Sequence, residues 1–114
     1  NELFEPIDPS LNSIGWYGGN SLSHSYEVGQ KLQNNYYLFD MSGNVQEWCW
    51  DWYNSNTYTN NPETDPKGPE SGTYHVIRGG SFLNYAKNCR SSARSYERPE
   101  VNRYYNGFRV VRNY

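Results

Sequence analysis

Three tryptophans at alternate positions, Trp48, Trp50 and Trp52, follow directly on the turn-forming run Asp40-Met41-Ser42-Gly43-Asn44-Val45. A period of two in residues that favour sheets predicts a strand from Gln46 onward. Gln46 and the three indoles fall on one side, with Glu47, Cys49, Asp51 and Tyr53 on the other. A helix would spread the indoles around its circumference. Tryptophan is costly to expose and the chain is poor in aliphatics, so Trp48, Trp50 and Trp52 are expected in the core. A groove for a carbohydrate or aromatic ligand is the alternative.

The rest of the chain fits a fold built on rings and turns. Four Trp and twelve Tyr supply the apolar area that aliphatic residues lack, and ten Gly and six Pro argue for long turned loops with little regular structure. A length of 114 residues suits one domain. Net charge is -2, with both signs mixed, which gives no basis for a nucleic-acid groove. No apolar run reaches bilayer length, so no membrane insertion is expected.

Along the chain, residues 1–30 read as loop packed by Trp16 and Tyr17, and Glu27–Leu32 as a short extended piece. Residues 54–72 read as a surface excursion pinned by turns. Tyr74–Arg78 reads as a strand leading into Gly79 and Gly80, where paired glycines signal a close approach that leaves no room for a Cβ. Residues 84–93 suggest a short helical or irregular turn. Residues 95–106 form a polar aromatic loop, and Gly107–Arg112 alternates as a terminal strand would, with Phe108 and Val110 on one side.

Several groups could carry chemistry. Asp40 and Glu47 are carboxylates flanking a tight turn in which Gly43 and Val45 can present carbonyls. Such a mixed oxygen set suits Ca²⁺, while the plainer reading is turn capping. Arg90 and Arg94 could anchor a carboxylate ligand or pair internally with Asp51 or Glu47. Tyr96, Glu97, Tyr104 and Tyr105 lie in a segment with the composition of a recognition surface, or of an irregular loop covering the core. His24 and His75 stand alone, without the further ligands zinc needs. Cys49 and Cys89 could be buried thiols, a core pair or a single bridge.

Taken in order, the motifs resemble the formylglycine-generating enzyme family, the sulfatase-modifying factors. The matching pieces are Leu38–Trp48, Asp51-Trp52-Tyr53, Arg78-Gly79-Gly80-Ser81-Phe82, Asn88-Cys89-Arg90-Ser91 and Gly107–Val111. The resemblance implies an α+β fold with low regular secondary structure, a variant of the C-type lectin fold. It implies a single, partial domain over residues 1–114, corresponding to the C-terminal portion. It also implies calcium held at Asp40, Gly43, Val45 and Glu47, and structural roles for Trp48, Trp50, Trp52, Gly79, Gly80, Cys89, Arg90 and Phe108.

Enzymes of this family oxidise a sulfatase cysteine to formylglycine with molecular oxygen and copper held by two cysteines. Here Asn84 stands at the position matching the first of them, and Cys89 matches a later cysteine of the motif. Cu(I) needs soft ligands, which an amide is not. The motif order is also similar to that of retroelement-diversified variable proteins, in which Asn84, Tyr85, Lys87, Ser95, Tyr96, Glu97, Glu100, Val101, Tyr104 and Tyr105 occupy places comparable to the diversified positions. Of these, Asn84, Tyr85, Lys87, Tyr96, Glu97, Tyr104 and Tyr105 are the expected ligand contacts. The expected function is a noncatalytic, calcium-binding recognition module for a protein or glycan ligand, located outside the cytoplasm or on the cell surface, with a second chain able to complete the domain. The alternative is a sulfatase-modifying oxidase, or part of one that requires an N-terminal portion.

Overall fold

The computed structural model describes residues 6–57 and 66–112. Its regular elements are few: helix α1 (Pro9–Asn12), a 3-10 turn at Ala86–Asn88, and strands β1 (Gln46–Trp52), β2 (His75–Arg78), β3 (Arg94–Glu97) and β4 (Asn106–Gly107). The architecture is therefore α+β with low regular secondary structure. Asp8 starts α1 by accepting the Leu11 N–H at 2.9 Å, and Pro9 supplies a helical φ at the first position.

The four strands form one sheet in the order β3-β2-β1-β4. β2 pairs antiparallel with both β1 and β3, while β4 runs parallel to β1 through Gln46↔Asn106 and Glu47↔Gly107. The expected strands at Gln46 and at Tyr74–Arg78 are present. The extended piece at Glu27–Leu32 is a turn instead, with Gly29 at φ 76°. Part of the expected 54–72 excursion lies outside the described residues.

The tryptophans depart from expectation. Trp48 pairs with Ile77 and Trp52 with His75, so four steps along β1 oppose two along β2. This irregularity breaks the alternation and turns Trp50 out to 90% exposure. Trp48 and Trp52 are half-buried, and Trp52 stacks on His75 with centroids 3.9 Å apart. None of the three belongs to the core. Its apolar members are Tyr17, Val76, Ile77, Phe82 and Cys89, interleaved with buried Ser21, Asp40, Asn44 and Ser81.

Hydrogen bonds join the segments around that core. Tyr17 is fully buried, and its hydroxyl accepts the Asp8 N–H at 2.6 Å. Ser21 Oγ donates to the Phe82 carbonyl at 2.7 Å, and Gly18 N–H to the Asn84 carbonyl at 2.8 Å. Trp16 lies stacked on Tyr26 at 3.7 Å with Lys31 Nζ 4.0 Å from its ring. Of the paired glycines only Gly80 excludes a Cβ, which would meet Cys89 Sγ at 2.5 Å; at Gly79 a Cβ would have space, and it is the backbone φ of 93° that favours glycine.

The terminal strand is shorter than the alternation suggested. β4 ends at Gly107, because beyond it the chain turns Arg109 toward Glu47 and residues 39–40 instead of continuing the ladder. Phe108, expected in a structural role, is 76% exposed, and Val110 is exposed beside it. No described helix is long and apolar enough to cross a membrane.

Candidate functional site

The loop before β1 folds back on itself through residues in the left-handed region: Asp40 at φ 55°, Gly43 at 84° and Asn44 at 66°. Gly43 is obligatory there, since a Cβ would lie 2.2 Å from the Trp16 carbonyl oxygen. Asn44 fastens the turn from every side. Its N–H donates to the Trp16 carbonyl and its own carbonyl accepts from Phe82 N–H, while its amide exchanges two 3.0 Å hydrogen bonds with the backbone of Tyr26.

This geometry brings Asp40, Gly43, Val45 and Glu47 to one cleft of about 410 Å³, together with Tyr37, Phe39 and Arg109. Asp40 Oδ2 accepts the Gly29 N–H at 2.9 Å, whereas its Oδ1 is buried with no hydrogen-bond partner. A buried carboxylate oxygen in that condition fits a cation. All four expected ligands offer hard oxygens, so the donor set fits calcium. Among the described residues no group of three His, Cys, Asp or Glu could hold a metal, and any ion here would depend on backbone carbonyls as well.

Glu47 already has a partner. Arg109 Nε donates to Glu47 Oε2 at 2.7 Å, and its Nη2 donates to the carbonyls of Phe39 and Asp40 at 3.0 and 3.1 Å. The internal pairing of Glu47 therefore falls to Arg109 and not to Arg90 or Arg94. Arg90 is exposed and donates to Ser92 Oγ and to the Lys87 carbonyl, closing the turn after the 3-10 helix. Arg94 donates to the Asn54 carbonyl at 3.1 Å and covers the Tyr53 ring.

A second cleft opens across the sheet, about 320 Å³, lined by Gln46, Ser81, Leu83, Asn84, Ser95, Tyr96, Glu97 and Tyr105 along with Ile77. Four of the seven expected ligand positions thus share one site: Asn84, Tyr96, Glu97 and Tyr105. Tyr85, Lys87 and Tyr104 are exposed and outside its lining; the Tyr104 ring meets Tyr105 edge-on at 5.3 Å. Glu97 is held by Arg103 at 3.3 Å.

Asn84 organises this cleft. Its Oδ1 accepts from Ser81 N–H at 2.8 Å, Ser81 Oγ at 2.9 Å and Gln46 Nε2 at 3.1 Å. Cys89 is buried against Gly80 and Cys49 is half-buried on β1, with no bridge joining them, so the buried-thiol reading fits Cys89 fully and Cys49 in part. Burial, above all, pushes the Cys49 thiol up. Sequence reasoning missed Gln46, Asn44 and Arg109 as site-building residues. Only the Gly-Asn turn and the Gly-Phe-Arg block hinted at the last two.

The family of sulfatase-modifying factor enzyme 1-like domains matches residues 11–114. The chain belongs to that family. It is 43% identical over 84 residues to the formylglycine-generating enzyme of Thermomonospora curvata, a match covering 68% of this chain and 28% of the enzyme. It is also 43% identical over 84 residues to the serine/threonine-protein kinase pkn1 of Chlamydia pneumoniae, covering 70% of this chain and 13% of the kinase. Among solved structures, variable protein 1 of Treponema denticola superimposes with a TM-score of 0.82 at 39% identity, over 92% of this chain and 38% of that protein. The chain spans about a quarter of the formylglycine-generating enzyme that it matches.

Proposed function

We propose that this chain is the part of a sulfatase-modifying-factor-type domain that recognises a protein or glycan ligand, without oxidase chemistry of its own. The reading rests on one observation: the side-chain oxygen of Asn84 is engaged by Ser81 and Gln46, so the position offers a structural amide in place of a soft metal ligand. The polar cleft beside it, with two tyrosines and a glutamate, suits hydrogen-bonded recognition. Calcium would be held by the carboxylates of Asp40 and Glu47 and the carbonyls of Gly43 and Val45, where it would brace the loop entering β1. On the resemblance of its motifs alone, the domain is taken as a C-type-lectin-like variant working outside the cytoplasm.

A second reading, part of a formylglycine-generating oxidase, draws more direct support from the comparisons, because the 43% identical relative bears that name. Copper binding and oxygen consumption on a cysteine-containing peptide separate the two. The recognition reading expects neither; both together would establish the oxidase. Calcium is tested independently by the melting midpoint, which should rise with the ion, fall with chelator, and lose that response in Asp40→Asn.

A further inference from the structure

The loop that fits calcium is already contacted by a cation from the segment after β4. The Arg109 guanidinium donates to Glu47 Oε2 and to the carbonyls of Phe39 and Asp40, while the buried Asp40 Oδ1 next to these groups has no partner. Both Arg109 and Glu47 line the same cleft as the other three expected ligands. We infer that Arg109 is the resident counter-charge of the 39–47 loop and competes with calcium for it, so that this one side chain sets the affinity of the site. The inference rests on the calcium reading above.

Two physical steps lead there. A divalent ion that takes Glu47 through Oε2 must share or replace the 2.7 Å bond from Arg109 Nε, since a carboxylate oxygen already accepting from a guanidinium is a poorer donor to a metal. A positive charge left within a few ångströms also repels the ion, a penalty worth about tenfold in affinity even in a high dielectric. Displacing the guanidinium in turn removes its two bonds to residues 39–40. Calcium should therefore loosen the segment that follows β4.

Titrating calcium chloride into the full chain by calorimetry, at fixed ionic strength, tests this. Arg109→Met should bind at least about tenfold more tightly than the wild type, and Arg109→Lys, which keeps the charge, should stay near the wild type. Equal or weaker binding by a folded Arg109→Met protein would overturn the inference and leave the calcium reading intact. Absence of binding in both proteins would remove the two together. Hydrogen exchange on the wild type covers the case of a variant that does not fold. Amides at 108–112 should exchange faster when calcium is bound, and unchanged or slower exchange in the calcium-bound protein overturns the proposal.

Discussion

A Cβ placed on Gly80 would lie 2.5 Å from Cys89 Sγ, with the Asn88 carbonyl oxygen 3.0 Å away. Gly80 also sits at φ 70°, a conformation that other L-residues adopt at a cost. The glycine thus lets the 3-10 turn press its thiol onto the end of β2.

Gly80→Ala should therefore cost about 2–4 kcal/mol, from overpacking together with left-handed strain. Urea denaturation measures it. The double variant with Cys89→Ala should recover part of that loss, and strictly additive effects would mean that the two positions do not press on each other.

Asn44 concentrates the ties of the loop. Replacing it by Ala removes both side-chain bonds to Tyr26 and forces a β-carbon residue without a local hydrogen bond to hold φ 66°, so a loss of about 2–4 kcal/mol is expected. Asn44→Gly keeps the backbone freedom and loses only the bonds. A glycine variant as unstable as the alanine one would put the whole cost on the hydrogen bonds.

Trp50 gives the opposite expectation. At 90% exposure its replacement by Ser should change the stability of this chain by no more than about 0.5 kcal/mol. A larger loss would show that the irregularity in β1 does not turn the indole outward as described.

Cys49 should make stability fall at alkaline pH. Its thiol is raised above the ordinary value of 9.0 mainly by burial, which outweighs the opposing charge of Arg78, with Asp51 and Glu47 pushing the same way as burial. The folded protein then holds this proton where the unfolded chain has begun to release it. The contribution is full below about pH 9 and is lost as pH climbs through the folded value. Denaturation of the wild type and Cys49→Ser across that range checks the sign. The variant should show the shallower decline, and alkylation of Cys49 near pH 8 should be slower than for a free thiol.

The sheet was legible where strand-favouring residues are covered on both faces, as at Val76-Ile77, and where indoles recur at every second position, as from Trp48. It was not legible at β3, because Arg94-Ser95-Tyr96-Glu97 is an edge strand with polar groups on both sides, and charge at an edge conceals the period. Trp50 was misjudged for a related reason: an irregularity in register is written in the pairing of two strands and leaves no mark in one. For the loop before β1, carboxylate spacing and a Gly-Asn turn sufficed to bring four residues to one cleft. Arg109 escaped notice as their neighbour because sixty-two positions separate it from Glu47, and local pattern does not report contacts of that span.

The parallel pairing of β4 with β1 has a consequence for biosynthesis. Gln46 meets Asn106 only after both intervening strands have been made, and Arg109 closes on Glu47 later still. A ribosome releasing the polypeptide from its N-terminal end exposes the half-open sheet, indoles included, until this stretch has cleared the exit tunnel. Unpaired strand edges and exposed rings of that kind are what make an incomplete chain prone to aggregation.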